Sequence, residues 1–195
     1  HISSKKDDTT FKNVQLNTQN HISIQIQALL LFLFSFILYA NTLWFGYTLD
    51  DLLMISGNKF TKEGFEGIKK IMFNDAFVGF FGENKNLLPG GRYRPLSQVW
   101  FAIEWQFFGH NPFIGHLTNV ILYGLLNVFL FFTLRRLFKA IKGNPWFLQL
   151  PFIITALFIA HPLHTEVVAN IKGRDEMMSL LGSLGALWFI LNYLD

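Results

Sequence analysis

Cysteine is absent from the 195 residues, which excludes disulfides, thiol catalysis and cysteine-ligated metals. Charge is scarce as well: Asp, Glu, Lys and Arg make up 15% of the chain, against 51% hydrophobic and 17% aromatic residues. A soluble domain carries about 25% charged residues, so these charges are too few to solvate an ordinary globular surface. They also lie between apolar runs instead of recurring along them, as they would on amphipathic surface helices. The net charge of +3 marks no nucleic-acid surface, and no nucleic-acid partner is expected. These shortages describe an integral membrane protein of all-α class.

Four apolar runs supply candidate spans, near residues 22–44, 113–134, 146–163 and 176–194. The first is too long for a signal-peptide core and lacks a small-residue cleavage pattern. The third is short: from Trp146 to Ala160 it covers roughly 22 Å at about 1.5 Å per residue, less than a hydrocarbon core of about 30 Å. The only Lys, Arg, Asp or Glu within these bounds is Glu176 at the start of the last span, which counts against a transporter or channel, whose pathway needs intramembrane ionisable groups. Residues 1–20 read as a mobile polar tail and 21–195 as one membrane domain. The chain opens without methionine and stops on an apolar run, so it is expected to be part of a longer protein.

Arg135, Arg136, Lys139 and Lys142 crowd one short loop. The positive-inside bias puts that loop and the tail in the cytoplasm, and the long loop 45–112 on the exoplasmic side together with the "HPLHTE" turn. The membrane concerned is a bacterial inner membrane or the endoplasmic reticulum. Inside the long loop, Phe65, Ile68, Ile71 and Met72 share a helical face opposite Lys62, Glu63, Glu66, Lys69 and Lys70, which predicts an interfacial helix over 61–73. After a Pro89-Gly90-Gly91 breaker, Pro95 opens a second helix with Leu96, Val99, Trp100, Ile103 and Phe107 on one stripe. That helix is embedded or covered by protein.

Ionisable groups gather at the exoplasmic ends. Asp50 and Asp51 follow the first span in "GYTLDDLLM"; they serve as a helix N-cap with a solvated neighbour, or as a carboxylate held at the membrane surface as general base. In "HPLHTEVVANIKGRDE", His161, His164 and Glu166 are open to three readings: hydrogen bonding of a helix end, the lining of a polar pocket, or metal ligation, though the spacing matches no established zinc pattern. Arg174 binds a phosphate or pairs with Asp175 or Glu176. Arg92 and Arg94 clamp a lipid phosphate or snorkel to headgroups. On the second span His116, Asn119, Tyr123 and Asn127 form one stripe that should face protein as polar glue, and Ser179, Gly182, Ser183 and Ala186 on the last span suit close helix packing.

The order of "LDD", "FNDAFVGFF", "YRPLS", "NPFIGHLTN" and "HPLHTEVVANIKGRDE" resembles the membrane half of the transmembrane and tetratricopeptide-repeat O-mannosyltransferases and their bacterial relatives, which are similar to class C glycosyltransferases. The resemblance runs from about Tyr47 to the end. It implies the N-terminal part of a polytopic enzyme that takes a sugar, mannose in that family, from a polyprenyl-phosphate donor and attaches it to a protein hydroxyl outside the cytoplasm. It assigns the base to Asp50 or Asp51. The residues themselves make Arg92, Arg94, His161, His164, Glu166, Arg174 and Asp175 candidates for substrate binding. The lipid-linked sugar is a co-substrate; no metal ligand and no further cofactor is assigned. Membrane lipid and a protein acceptor are the implied partners. Only four spans are present where that module has more, and the repeats are missing, so a membrane scaffold without catalysis is the alternative.

Overall fold

A computed structural model describes residues 22–82, 93–138, 141 and 144–194. The expected tail, the Pro89-Gly90-Gly91 breaker, Arg92, Lys139 and Lys142 lie outside the described residues. In chain order, α1 (Ile24–Tyr39) continues as a 3-10 segment, Ala40–Trp44. The long loop holds α2 (Leu49–Asp51) with a π turn (Leu52–Ser56), α3 (Lys59–Lys62), a 3-10 turn (Gly64–Gly67), α4 (Ile68–Phe73), α5 (Val78–Phe81) and α6 (Pro95–Phe108). Then come α7 (Pro112–Leu137), α8 (Leu150–Ala160), α9 (His164–Ala169) and α10 (Arg174–Leu194), with 3-10 turns at Trp146–Leu148 and Ile171–Gly173. The described residues contain no strand, so the all-α expectation holds.

Three segments are long and apolar enough to cross a membrane: Ile24–Trp44, Pro112–Leu137 and Ile171–Leu194. The fourth expected span is shorter than its run of apolar residues. Pro151 sits in the first turn of α8, and the residues before it form a separate 3-10 turn. At the other end Pro162 holds His161 in an extended conformation (ψ 126°), which stops α8 at 11 residues, about 16 Å of rise.

The bundle is organised by α7, against which α1, α8 and α10 all pack. Its direction relative to each neighbour follows from matched contacts. Ser35 meets Asn127 while Gly46 meets His116, so α1 is antiparallel to α7. Phe152 packs on Phe131 while Phe158 lies beside Tyr123, so α8 is antiparallel too. Arg174 meets Gly115 and Trp188 meets Phe129, so α10 runs parallel to α7. One end of the bundle therefore carries the loop between α1 and α7 together with the turn between α8 and α10. Arg135 and Arg136 close the other end, where Arg136 donates to the side chain of Asn192 and lies over Trp188.

Polar groups inside an apolar bundle must find partners within the protein, and the stripe on α7 shows how. His116, Asn119, Tyr123 and Asn127 are all buried. The Asn119 amide donates to the carbonyls of Asn170 (2.9 Å) and Ile171 (3.2 Å), which end α9 and start the next turn. Tyr123 donates to the carbonyls of Phe158 and Ile159 at the end of α8. Asn127 donates to Ser35 on α1 (3.2 Å). The expected polar glue is observed, and it fastens helix ends where backbone carbonyls lack intrahelical donors. Gly124 allows the close approach of α1, since a Cβ there would sit 2.7 Å from the Phe32 ring.

Arg174 completes this scaffold. Its side chain is 0% exposed and makes a 2.8 Å ion pair with Glu104 of α6. It also donates to Asn119 Oδ1 (2.9 Å) and the Gly115 carbonyl (3.1 Å), and its guanidinium lies over Trp100 and Phe101. One cation thus joins α6, α7 and α10.

In the loop, the helix expected over 61–73 is broken into three pieces. Gly64 adopts φ +60°, and a Cβ on Gly67 would lie 1.8 Å from the Phe60 carbonyl, so the chain turns sharply where only glycine fits. The break also divides the expected apolar face: Ile71 is buried and Ile68 half-buried, while Phe65 and Met72, with Phe73, face outward. In α6 the expected stripe also faces outward. Leu96 and Phe107 are 69% and 67% exposed, whereas Ser97, Gln98, Phe101 and Ala102 are buried. Apolar residues outside and polar residues inside suit a helix whose solvent is lipid.

Two predictions come from this architecture. Cysteines introduced at exposed Glu66 and Thr165 should behave alike toward a membrane-impermeant thiol reagent, since both belong to the same end. With the orientation expected from the basic loop, both should label in intact cells and one at Asn144 should not; labelling of Asn144 alone would invert the topology. Glu104→Gln leaves the Arg174 cation buried without its partner, and should cost about 3–5 kcal/mol, read as a lower unfolding midpoint of the detergent-solubilised protein.

Candidate functional site

The two carboxylates after the first span have different surroundings. Asp51 is 0% exposed. Its Oδ2 accepts from the backbone N–H and hydroxyl of Thr48, both at 2.9 Å, which forms a capping box on α2. Its Oδ1 accepts from the backbone N–H of Lys172 at 2.7 Å. Both oxygens are therefore engaged, and one of the contacts ties the first loop to the turn before α10. Asp50 meets the other end of the same lysine. Its side chain is 52% exposed, with Oδ2 3.6 Å from the Lys172 ammonium, itself only 12% exposed.

The histidine turn comes to the same place because α8 stops at Pro162 and the chain re-enters as α9. His164 stacks on Phe158 with ring centroids 4.2 Å apart and lies 5.8 Å from the Tyr123 ring. His161 is exposed, and its Nδ1 accepts from the Leu163 N–H at 3.4 Å. Between α2, α7, α9 and α10 lies a recess of about 400 Å³. Its rim is polar: Asp50, His164, Glu166, Asn170, Lys172 and Glu176. Below these, Leu126, Phe158, Met177 and Leu180 form an apolar floor between the helices.

The remaining candidates are distributed around this recess. Arg94 is paired with Asp175 and lines a neighbouring hollow of about 520 Å³ with Tyr93, Ser97 and Ser179; Glu176 borders both hollows. Arg174, open in sequence to phosphate binding or to pairing with Asp175 or Glu176, is instead enclosed and paired with Glu104. Arg92 lies outside the described residues. Two rim residues, Lys172 and Asn170, were not singled out from the sequence, and Glu176 was considered only as a partner for Arg174. Lys172 stands two positions from Arg174 in "KGRDE", and spacing alone did not tell which cation faces inward. The 3-10 turn Ile171–Gly173 decides it, pressed so closely on α9 that a Cβ on Gly173 would lie 2.1 Å from the Val167 carbonyl. Among the described residues no three His, Asp and Glu side chains come together as a metal site.

Burial pushes the His164 imidazole below its ordinary pKa, and the nearby His161 acts in the same direction. The neutral ring is therefore favoured in the folded protein. As pH falls, the unfolded chain takes up its proton first, near pH 6.5, and the folded protein only at a lower pH. Stability present above about pH 6.5 is thus lost as pH drops through that window. His164→Gln should flatten this part of the curve of unfolding midpoint against pH; an unchanged slope would show that the group is not perturbed.

No family model matches the chain, and no solved structure does. Its curated relatives are informative. It is 31% identical to Protein O-mannosyl-transferase TMTC1 of Homo sapiens over 143 residues, 73% of this chain and 15% of that protein. Identity to Protein O-mannosyl-transferase tmtc2 of Xenopus laevis is 32% over 161 residues, 81% of this chain and 17% of that protein. Protein O-mannosyl-transferase TMTC3 of Homo sapiens is 29% identical over 148 residues, 76% of this chain and 15% of that protein. The chain spans about 15–17% of the length of these relatives. By sequence it belongs with the transmembrane and tetratricopeptide-repeat family of protein O-mannosyl-transferases.

Proposed function

We propose that this chain is the N-terminal part of a membrane glycosyltransferase that moves a sugar, mannose by the names of its relatives, from a polyprenyl-phosphate donor to a protein hydroxyl on the exoplasmic side. One observation carries the reading: the recess joins a polar, ionisable rim to an apolar floor between membrane helices. A polyprenyl-phosphate sugar has the same division, with an isoprenoid tail that prefers the bilayer and a phosphosugar that needs hydrogen bonds and a countercharge. A soluble sugar nucleotide would gain nothing from Leu126 and Leu180.

Asp50 is the base in this scheme. Its carboxylate is exposed at the rim, whereas both Asp51 oxygens are engaged within the fold. Asp50 takes the proton of the acceptor hydroxyl, whose oxygen attacks the anomeric carbon. The bond from that carbon to the phosphate oxygen breaks, and the polyprenyl phosphate leaves with the electron pair. Neutral His164 and the carboxylate of Glu166 supply hydrogen-bonding groups for sugar hydroxyls. Asp51 positions the base by holding its turn against the turn before α10. Arg94 and Asp175 flank the entry from the neighbouring hollow, and His161 stands at the outer lip of the turn.

Positioned acid-base catalysis contributes about 10²–10⁴ in rate. In the full-length protein, Asp50→Asn should therefore reduce transfer on the order of a hundredfold or more while the variant still binds a lipid-linked sugar. Asp51→Asn should differ, lowering the unfolding midpoint because a buried acceptor is replaced by an amide donor. The assay is transfer from a panel of lipid-linked sugars to a mixed protein acceptor pool. Undiminished transfer by Asp50→Asn would remove the base assignment and favour a non-catalytic scaffold.

A further inference from the structure

Lys172 is the one lysine or arginine among the described residues that line the main recess. The other charges on that rim, Asp50, Glu166 and Glu176, are carboxylates. Arg94 is paired with Asp175 in the neighbouring hollow, and Arg174 is buried with Glu104. An anionic ligand entering this rim meets three like charges and a single ammonium. That ammonium is placed by the backbone: the Lys172 N–H is held at 2.7 Å by Asp51, so the root of the side chain is fixed while its tip reaches Asp50 at 3.6 Å. A contact of that length is looser than a charge-assisted hydrogen bond of about 2.7–2.9 Å, and Asp50 is half exposed, so the pair is one that a better acceptor can displace.

We propose that Lys172 binds the phosphate of the donor, and that in the empty site Asp50 occupies the place the phosphate will take. This rests on the reading of the recess as a donor site. Arrival of the donor exchanges one anion for another at the ammonium: a phosphate oxygen replaces the Asp50 carboxylate, which is freed beside the incoming sugar. The exchange makes the donor the first substrate to bind, because the carboxylate that must receive the acceptor's proton is held by Lys172 until the phosphate arrives. It also separates the two neighbouring carboxylates by role. Asp51 fixes the lysine's backbone, and Asp50 competes for its charge.

The test measures binding of a short-chain isoprenyl-phosphate mannose to the full-length protein in nanodiscs, with variants on both sides of the pair. Lys172→Gln should weaken binding about ten- to a hundredfold, the range for a hydrogen bond to a charged group, and Lys172→Arg should restore most of it. Asp50→Asn should tighten binding about two- to fivefold, the scale of a partly exposed ion pair, and the gain should vanish in the Lys172→Gln background. A gain of equal size in both backgrounds, or none in either, would overturn the exchange. Wild-type affinity in Lys172→Gln would overturn the phosphate assignment while leaving the donor site standing, whereas absence of donor binding by the wild type would overturn both. Glycerol phosphate at equal concentration should not displace the probe; displacement would assign Lys172 to phospholipid headgroups instead.

Discussion

The carboxylate of Asp51 accepts hydrogen bonds from residues 121 positions apart or three, and the site depends on both. Thr48 donates twice to one oxygen, and the backbone of Lys172 donates to the other. Because the group is fully buried, its charge is tolerable only while those donors are in place. That requirement sets the register of the first loop against the turn before α10, and so determines which side of α2 turns Asp50 toward the recess. The same contact makes Lys172 a rim residue. Asp51 is not among the residues that line the recess, yet Asp50 and Lys172, which do, are placed through its contacts.

A similar logic holds the bundle together. Association of apolar helices in lipid gains little from the hydrophobic effect, so packing and hydrogen bonds carry more of it. The polar stripe of α7 spends its donors on the ends of α8 and α9 and on Ser35, and Arg174 adds a charge-assisted link from α10 to α6. These contacts cluster toward the end of the bundle that carries the loops. The most polar part of the scaffold thus lies at the same end of the bundle as the recess.

The loop helices present their apolar residues outward, with Leu96 and Phe107 of α6 and Phe65, Met72 and Phe73 below it all exposed. The recess is walled instead by α2, α7, α9, α10 and the end of α8.

Composition and period alone determined that this chain is helical, where its long apolar runs lie, and that the α7 stripe faces protein; these follow from local properties, charge scarcity and the 3.6-residue repeat. That the third run falls short of a span was legible from its length, whereas the further shortening to Leu150–Ala160 was not. The order of the polar motifs pointed to the family. The sequence also brought Asp50, Asp51 and the histidine turn to one end, because the number of spans between them fixes their side. What only the tertiary structure decided is which polar groups face the recess. Asp50 and Asp51 are neighbours of one type, as Lys172 and Arg174 are two positions apart, and no periodicity separates them. Long-range contacts do: the Lys172 N–H claims Asp51, and Glu104, Asn119 and Gly115 claim Arg174. The division between buried support and exposed chemistry arises from hydrogen bonds between segments distant in sequence, since a buried charge must be paired and its partners are known only once the helices have met.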